Sequence, residues 1–346
     1  MRMKNRQIYI VVSALCLVTM LGSCRKERQF FPKNIQPEQV NILRFDSALL
    51  SLPTDSTTML QEIGSLYEQF PVMTPVFAED IVGIDRDDTA SLCWALSHFL
   101  TDTLFGFAQT NKREQELFAD VSDIRLQLGK SFGRLRIIYP DYTIPDIYFI
   151  VSGFNAGLFL MDGDAVVVVV GADMYLGSDY PYYNRVVYEY QKKNMRRECI
   201  AGDVISAVLY NTIPYTSKHN RLLDNMIYRG KIMYLASHLL QEESKWQVMG
   251  YSQEEWQWCE RNETAIWRLM LDKQDLFKTE TIVLTSYLND GPFTSEISQE
   301  SPARLGTWIG WRIVEQYMQH NKDVSLAELM AEGDAQKVLE KSGYRP

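Results

Sequence analysis

Residues 144–177 read IPDIYFIVSGFNAGLFLMDGDAVVVVVGADMYLG, and this stretch decides the fold. The β-branched and aromatic run Ile147 to Val151 predicts a strand. A second strand, Gly157 to Met161, leads into Asp162-Gly163, a common hairpin-turn dipeptide. The run Ala165 to Val170 follows. Because its valines do not alternate with polar residues, we expect this last strand to lie inside a sheet that helices cover. The stretch therefore predicts a small sheet that contains a hairpin.

Helices are predicted on both sides of this sheet. Apolar residues recur at helical spacing in Met59–Phe70, Ala90–Phe107, Phe118–Phe132, Ala201–Asn211, Arg221–Leu240, Ser252–Leu271 and Arg304–His320, and a short helix is predicted between Asp334 and Gly343. This order predicts an α+β fold that is mainly helical. Its parts are an N-terminal helical part at about 40–136, the sheet at about 137–177 and a C-terminal helical part at about 178–346.

Several residues carry information about helix ends and packing. Ser252 followed by Glu255 has the spacing of a capping box. Gly306 and Gly310 lie four residues apart in a predicted helix, where each glycine costs roughly 1 kcal/mol relative to alanine. Their presence indicates close backbone approach to a neighbour. The tryptophans between Trp246 and Trp311 favour core packing over a ligand groove, because they follow helical spacing.

The N-terminus resembles a bacterial lipoprotein signal. Three basic residues precede the apolar run Ile8 to Leu21, which is too short to span a bilayer. It is followed by Leu21-Gly22-Ser23-Cys24, which resembles a lipobox; an ordinary signal peptide that happens to contain a cysteine is the alternative. The resemblance predicts a signal peptide over residues 1–23, lipidation of Cys24 with acyl chains such as palmitate, and a tether over residues 24–39 before a single domain over 40–346.

The residues after Cys24 and the overall charge indicate where the protein acts. Arg25 stands where an aspartate would signal retention at the inner membrane, and no acidic tract resembling a surface-export signal follows. We therefore expect the periplasmic face of the outer membrane in the cell envelope. The net charge is −9. Since nucleic-acid binding needs a basic face, the charge argues against such a partner.

The sequence contains no recognisable catalytic motif. None of the four histidines belongs to an HExxH sequence, and GxSxG, P-loop and helix-opening GxGxxG motifs do not occur. We therefore predict no catalytic residues, metal or cofactor. Cys93, Cys199 and Cys259 are far apart in the sequence. They are either buried free thiols or one disulfide with a spare cysteine.

Four stretches, together with the lipobox, resemble the family of the gliding motility lipoprotein GldB. They are Ser152–Asn155, Gly171–Gly177 with Tyr182-Tyr183, Leu222–Lys231 and Glu300–Trp311. The resemblance implies a cell-envelope lipoprotein that is associated with gliding of bacteria over surfaces, and it leaves the biochemical activity undefined.

The layout of elements also resembles proteases of the zincin class. In that comparison, Asp203, Val204 and Ala207 occupy the positions of an HExxH motif, and Arg229 stands where a glutamate would supply the last zinc ligand. These residues cannot form the zinc site. The resemblance therefore implies a degenerate zincin-like fold without its metal.

Two functional classes follow from these observations. The first is a non-enzymatic binding or adaptor protein, anchored to the membrane by lipid, whose partners are other envelope proteins or motility machinery. Its predicted binding surface, chosen because exposed tyrosine and arginine side chains commonly anchor interfaces, contains Tyr180, Tyr182, Tyr183, Asp203, Tyr228 and Arg229. The alternative is a hydrolase with an unrecognised site in the zincin-like cleft.

Overall fold

The structure is a computed structural model that describes residues 28–102, 107–163 and 165–346, without the side chain of Phe107. Contacts divide the chain after Pro32, so that residues 28–32 belong to a first unit and Lys33–Pro346 form a second, larger one. In the described part of the first unit, the Gln29 side-chain amide donates a hydrogen bond to the Phe31 carbonyl at 3.0 Å. The predicted signal peptide and Cys24 lie outside the described residues.

The larger unit is a mainly helical α+β fold, as predicted. Its strands are β1 (Ile42–Arg44), β2 (Asp146–Ile150), β3 (Leu158–Met161) and β4 (Val167–Gly171). Its helices are α1 (Phe45–Leu50), α2 (Ser56–Gln69), α3 (Met73–Val76), α4 (Thr89–Thr101), α5 (Phe107–Leu117), α6 (Ser122–Ile138), α7 (Tyr183–Val186), α8 (Glu189–Lys192), α9 (Ile200–Thr212), α10 (Leu222–Leu239), α11 (Lys245–Met249), α12 (Gln253–Asp272), α13 (Thr281–Leu288), α14 (Leu305–His320), α15 (Leu326–Ala331) and α16 (Ala335–Ser342). A π-helix, Phe77–Val82, continues α3.

The sheet has the strand order β1-β2-β4-β3. β3 and β4 form the predicted antiparallel hairpin, in which Met161 is opposite Val167. The two strands are therefore separated by five residues in sequence, rather than by the two-residue turn that Asp162-Gly163 suggests. β2 pairs in parallel with both β4 and β1. The buried valines of β4 confirm that this strand lies inside the sheet.

The N-terminal helices pack on one face of this sheet. Tyr148 and Ile150 of β2 and Val169 of β4 join a core that includes Phe45 and Phe77. The two phenylalanine rings lie 5.0 Å apart between centroids. Burial of these apolar side chains stabilises the contact between the helices and the sheet.

The C-terminal part is built around α10, which is buried around most of its circumference rather than on the single face that the sequence predicts. α14 packs against it at backbone contact. A Cβ atom added at Gly310 would lie 1.8 Å from the Met226 carbonyl oxygen, and one added at Gly230 would lie 2.2 Å from the Gly310 carbonyl carbon. The inference that glycines of α14 allow close approach is therefore confirmed.

Tryptophans complete the packing around α14. The Trp256 ring makes edge contacts with Trp308 and Trp311, at centroid distances of 6.0 and 5.4 Å. All three side chains are buried. This confirms the core interpretation for these tryptophans and argues against an aromatic groove here.

Two predicted helix boundaries were wrong. The helix predicted over Ala90–Phe107 ends at Thr101. The one predicted over Phe118–Phe132 begins at Ser122 and runs to Ile138. Glu38, near the end of the predicted tether, contacts α6, because its amide donates to the Gly129 carbonyl at 3.0 Å. Gly129 permits this contact, since an added Cβ there would lie 2.6 Å from the Glu38 carbonyl oxygen.

Candidate functional site

A cavity of about 150 Å³ lies between α9, α10, α11 and the beginning of α14. The periodicity of α9 explains its part in the wall. Val204, Ile205 and Val208 are buried on the core side of the helix, whereas Asp203 is exposed to the cavity. Other polar residues that line the cavity include Arg196, Cys199, Arg229, Glu243, Arg304 and Thr307. These residues come from distant parts of the sequence, and the fold brings them together.

Three arginines line the cavity, and their guanidinium groups are held mainly by backbone carbonyls. Arg229 donates to the Leu288 carbonyl at 2.6 Å, and Arg196 donates through Nε to the Lys193 carbonyl at 2.7 Å. Neither has a carboxylate within ion-pair distance among the described residues. Arg304 donates to the Met249 carbonyl, and its Nε lies 3.9 Å from Asp290 Oδ1. Among the described residues, Arg196 and Arg229 therefore make no ion pair, and Arg304 makes only a long one.

Arg304 has an unusual backbone conformation, and its side chain is held by several contacts. It is the residue before α14 and has a left-handed conformation with φ 60°. Its guanidinium lies 5.9 Å from the centre of the Tyr251 ring, and the Tyr251 hydroxyl donates to the Ala303 carbonyl at 2.5 Å. Non-glycine residues in this conformation are uncommon and often occur at functional sites. The surrounding contacts fix the direction of the arginine side chain.

Three acidic residues, Glu198, Asp203 and Glu243, line the same cavity. Asp203 accepts a hydrogen bond from the Tyr175 hydroxyl at 2.9 Å. Protein atoms crowd the Asp203 carboxyl closely enough to raise its pKa to about 6, although the side chain still reaches solvent through the cavity. Burial raises the pKa of Glu243 to about 7, and the nearby negative charge of Asp203 adds to the effect. The Gln127 amide donates to Glu243 at 2.6 Å and opposes the shift.

The hydroxyl of Thr307 is the cavity's most unusual polar group. Thr307 is 2% exposed. Among the described residues, its oxygen has no hydrogen-bond partner. Leaving a buried hydroxyl unpaired costs about 1 to 3 kcal/mol. A polar atom of this kind needs an explanation, and a ligand that occupies the cavity would provide one.

The model of one protein family, described as gliding motility protein GldB, matches residues 28–346. The match covers nearly the whole chain. The chain belongs to the GldB family. Membership indicates a gliding motility lipoprotein and agrees with a cell-envelope location. Searches of curated proteins and of solved structures give no match.

The GldB-family structure divides the predicted binding surface. Asp203 and Arg229 line the cavity. Tyr228, although adjacent to Arg229 in sequence, donates instead to the Ile213 carbonyl at 2.7 Å, and it lines a different depression near Tyr215. The cavity thus contains only part of the surface that the sequence predicted.

The three tyrosines of the 180–183 loop do not line the cavity. The expectation that all of them are exposed was wrong for Tyr183, which is completely buried. Its hydroxyl donates to the Asp173 carbonyl at 2.9 Å and accepts from the Leu176 amide at 2.8 Å.

The other two tyrosines of the loop are partly accessible. Tyr180 is half-buried and shares a hydrogen bond with Thr110. Tyr182 is also half-buried, beside Arg185. Any binding role of this loop stays a prediction.

The residues at the zincin-like positions do not fit a zinc ion. Val204 is buried and apolar, Ala207 offers no ligand atom, and the Arg229 cation would repel a metal. Within the described part of the chain, no group of three His, Cys, Asp or Glu side chains is placed to hold a metal ion. Since no solved structure matches, the zincin-like comparison stays a prediction.

The three cysteines of the domain are free. Cys93 and Cys259 are buried, as expected, but Cys199 is only half-buried because it lines the cavity. Its surroundings displace water and raise the thiol pKa to about 11, with the Asp203 charge contributing. A thiol with so high a pKa is a poor nucleophile at neutral pH.

None of the helices in the described ranges is both long enough and apolar enough to cross a bilayer.

Sequence reasoning missed part of the cavity, because it did not assign Arg196, Glu243 or Thr307 to a site. Arg304 and Thr307 did stand in one of the stretches that resemble GldB, and this was the signal that could have identified them.

Proposed function

We propose that this GldB-family protein is a lipid-anchored component of the cell envelope that works as a non-enzymatic adaptor in gliding motility. The observation that carries this proposal is the presence of Arg196 and Arg229, two cavity arginines without a carboxylate partner in the described structure. Arginine is enriched among the residues that dominate binding energy at protein interfaces. In this proposal, the cavity binds a group that a partner protein supplies.

The proposed anchor is Cys24, at the end of the lipobox-like sequence. Two or more acyl chains would hold the protein stably on a membrane, which a single chain does not do. We place it on the periplasmic face of the outer membrane, where the domain could reach other envelope proteins. Nucleic acid is not among the proposed partners because the chain is acidic.

A hydrolase is the second candidate, and one observation favours it. Asp203 and Glu243 line one cavity, and both have raised pKa values, as paired acid and base groups in hydrolases often do. Incubation of the purified protein with a peptide library tests this alternative. Release of fragments by the wild type, but not by the Asp203→Asn variant, would support a hydrolase and contradict the adaptor proposal.

The adaptor proposal is tested by crosslinking the full-length, tagged protein in native envelope membranes and purifying it. We expect a partner to co-purify with the wild type. Loss of the guanidinium in Arg229→Ala should weaken capture by about 1 to 4 kcal/mol. Tyr182→Ala is the matched control, since it removes a half-buried side chain that does not line the cavity.

Melting temperatures of both variants separate binding from folding. Equal capture by the wild type and Arg229→Ala would contradict the cavity as the binding site. Selective loss in Tyr182→Ala would instead assign binding to the tyrosine loop.

A further inference from the structure

The beginning of α14 supplies a favourable place for a negative charge. This helix has 16 residues, with Arg304 at its N-cap and Thr307 in its first turn, and both residues line the cavity. The N-terminal end of a helix carries a partial positive charge and amide groups without partners within the helix. Such ends commonly bind anions.

Thr307 provides a second and independent indication of a ligand. Its side chain is buried at the cavity wall, and its hydroxyl has no hydrogen-bond partner in the described structure. The guanidinium of Arg304 is fixed by the Met249 carbonyl and the Tyr251 ring, while Arg229 is fixed by the Leu288 carbonyl. Each guanidinium has five N–H donors, so these contacts leave donors available to a ligand.

We propose that this cavity binds the C-terminal carboxylate of a peptide chain, held by Arg304, Arg229 and the Thr307 hydroxyl at the start of α14. The inference rests on the adaptor function proposed above and names the part of the partner that the cavity would recognise. Arginine binds carboxylates strongly because its planar fork matches the two oxygens.

The acidic residues of the cavity favour a peptide carboxylate over a phosphate. Asp203 and Glu243 both line the cavity, and the negative charge of Asp203 reaches the Glu243 carboxyl group. They would repel a doubly charged phosphate. A peptide's last residue, in contrast, carries one negative charge next to an amide N–H that a carboxylate can accept. The cavity thus contains groups suited to both parts of a peptide terminus.

The size of the cavity agrees with a small terminal group. A volume of about 150 Å³ has room for several water molecules, whereas pockets for drug-sized ligands are about 300 to 1,000 Å³. We therefore expect the last residue of a chain to enter, and the preceding residues to lie outside.

The test is a calorimetric titration of the full-length protein in detergent with three probes. They are acetylated triglycine with a free carboxylate, the same peptide as its C-terminal amide, and inorganic phosphate. We expect the free acid to bind roughly tenfold more tightly than the amide, since the amide lacks the charge that the arginines recognise. Equal binding of acid and amide, tighter binding of phosphate, or no binding of the acid would overturn the inference.

Variants identify the site of binding. Thr307→Val keeps the shape of the side chain and removes only the unpartnered hydroxyl, so it should weaken binding of the acid severalfold without lowering the melting temperature. Thr212→Val, at the end of α9 and outside the cavity lining, should leave binding unchanged. If both Thr307→Val and Arg229→Gln bind the free acid with unchanged affinity, the assignment of the site is also overturned.

The carboxylate assignment and the adaptor proposal can fail independently of each other. If a partner co-purifies with the wild type from native membranes but free acid and amide bind equally, the carboxylate assignment fails and the adaptor proposal stands. If the free acid binds in the cavity but no partner is captured, the carboxylate site stands and the adaptor proposal fails.

Discussion

One face of α14 has no free space, whereas the beginning of the same helix opens into a cavity. At Gly310, the backbone of α14 touches the backbone of α10, so that even one methyl group cannot be added. At Thr307, a buried hydroxyl lacks a partner beside about 150 Å³ of space. The comparison separates residues that position the site from residues that are available to a ligand. Substitutions on the closed face should affect folding, and those at the open end should affect binding.

The largest effect is expected for Gly310→Ala. The new methyl group would lie 1.8 Å from the Met226 carbonyl oxygen, and because that oxygen is backbone, it cannot move without displacing α10. We expect a loss of about 3 kcal/mol or more in the free energy of unfolding, or failure to fold. Chemical denaturation of the full-length protein in detergent measures it.

Gly64→Ala is the matched control for this substitution. Gly64 lies within α2, and nothing is within 4 Å of its added Cβ. The change should therefore stabilise the protein by about 0.5 to 1 kcal/mol, because alanine favours the helix. A similar effect of the two substitutions would show that the seam between α10 and α14 is not closed.

The second prediction concerns the pH dependence of stability at the cavity. The folded-state pKa of Glu243 is about 7, above its ordinary value of 4.5. The folded protein therefore binds more protons than the unfolded chain between these pH values, and this contribution to stability is lost as the pH rises from 4.5 through 7. Glu243→Gln removes this titration. The stability of the variant relative to the wild type should therefore be higher at pH 8 than at pH 4, by on the order of 2 to 3 kcal/mol.

Denaturation curves of wild type and variant at pH 4, 6 and 8 measure this difference. Glu198→Gln is a suitable control, because Glu198 lines the same cavity but is exposed to solvent. If the stability difference between wild type and Glu243→Gln does not change with pH, the Glu243 carboxyl is not in a dehydrated environment.

A smaller effect is expected for Gly306→Ala, on the side of α14 that contacts α13. An added Cβ would lie 3.0 Å from the Tyr287 carbonyl oxygen and 3.1 Å from a Leu288 methyl group. Because the leucine side chain can move, we expect a cost of about 1 to 2 kcal/mol, less than for Gly310→Ala. Denaturation of both variants under the same conditions compares them. The reverse order would mean that α14 is packed more tightly against α13 than against α10.

The sequence predicted those features of the fold that depend on neighbouring residues. The capping box of Ser252 and Glu255 is present at the start of α12. The last helix begins after Asp334, whose side chain accepts from the Lys337 amide, and ends at Gly343 in a left-handed conformation. These ends follow from local hydrogen bonding and backbone preference, which a sequence displays directly.

Features that depend on distant residues were not predictable in this way. β1 has only three residues, and its strand character depends on pairing with β2, about 100 residues later. The cavity is similar, because Arg229 and Arg304 line it together only when α10 and α14 are packed against each other. Tyr183 is a second example of a feature that the local sequence did not predict. A tyrosine in a short polar loop was expected to be exposed, but the contacts of its hydroxyl with Asp173 and Leu176 bury it.

The smallest effect on stability is expected for Thr307→Val, at the open end of α14. Its hydroxyl contributes no hydrogen bond to the folded state, so replacing it with a methyl group removes an unpaired buried polar atom. The free energy of unfolding should stay within about 0.5 kcal/mol of the wild type or increase. Thr74→Val is the matched control, because the equally buried Thr74 hydroxyl lies 2.9 Å from both the Leu66 and Phe70 carbonyl oxygens. That variant should lose about 1 kcal/mol. Equal losses in the two variants would mean that the Thr307 hydroxyl has a partner within the protein and is not available to a ligand.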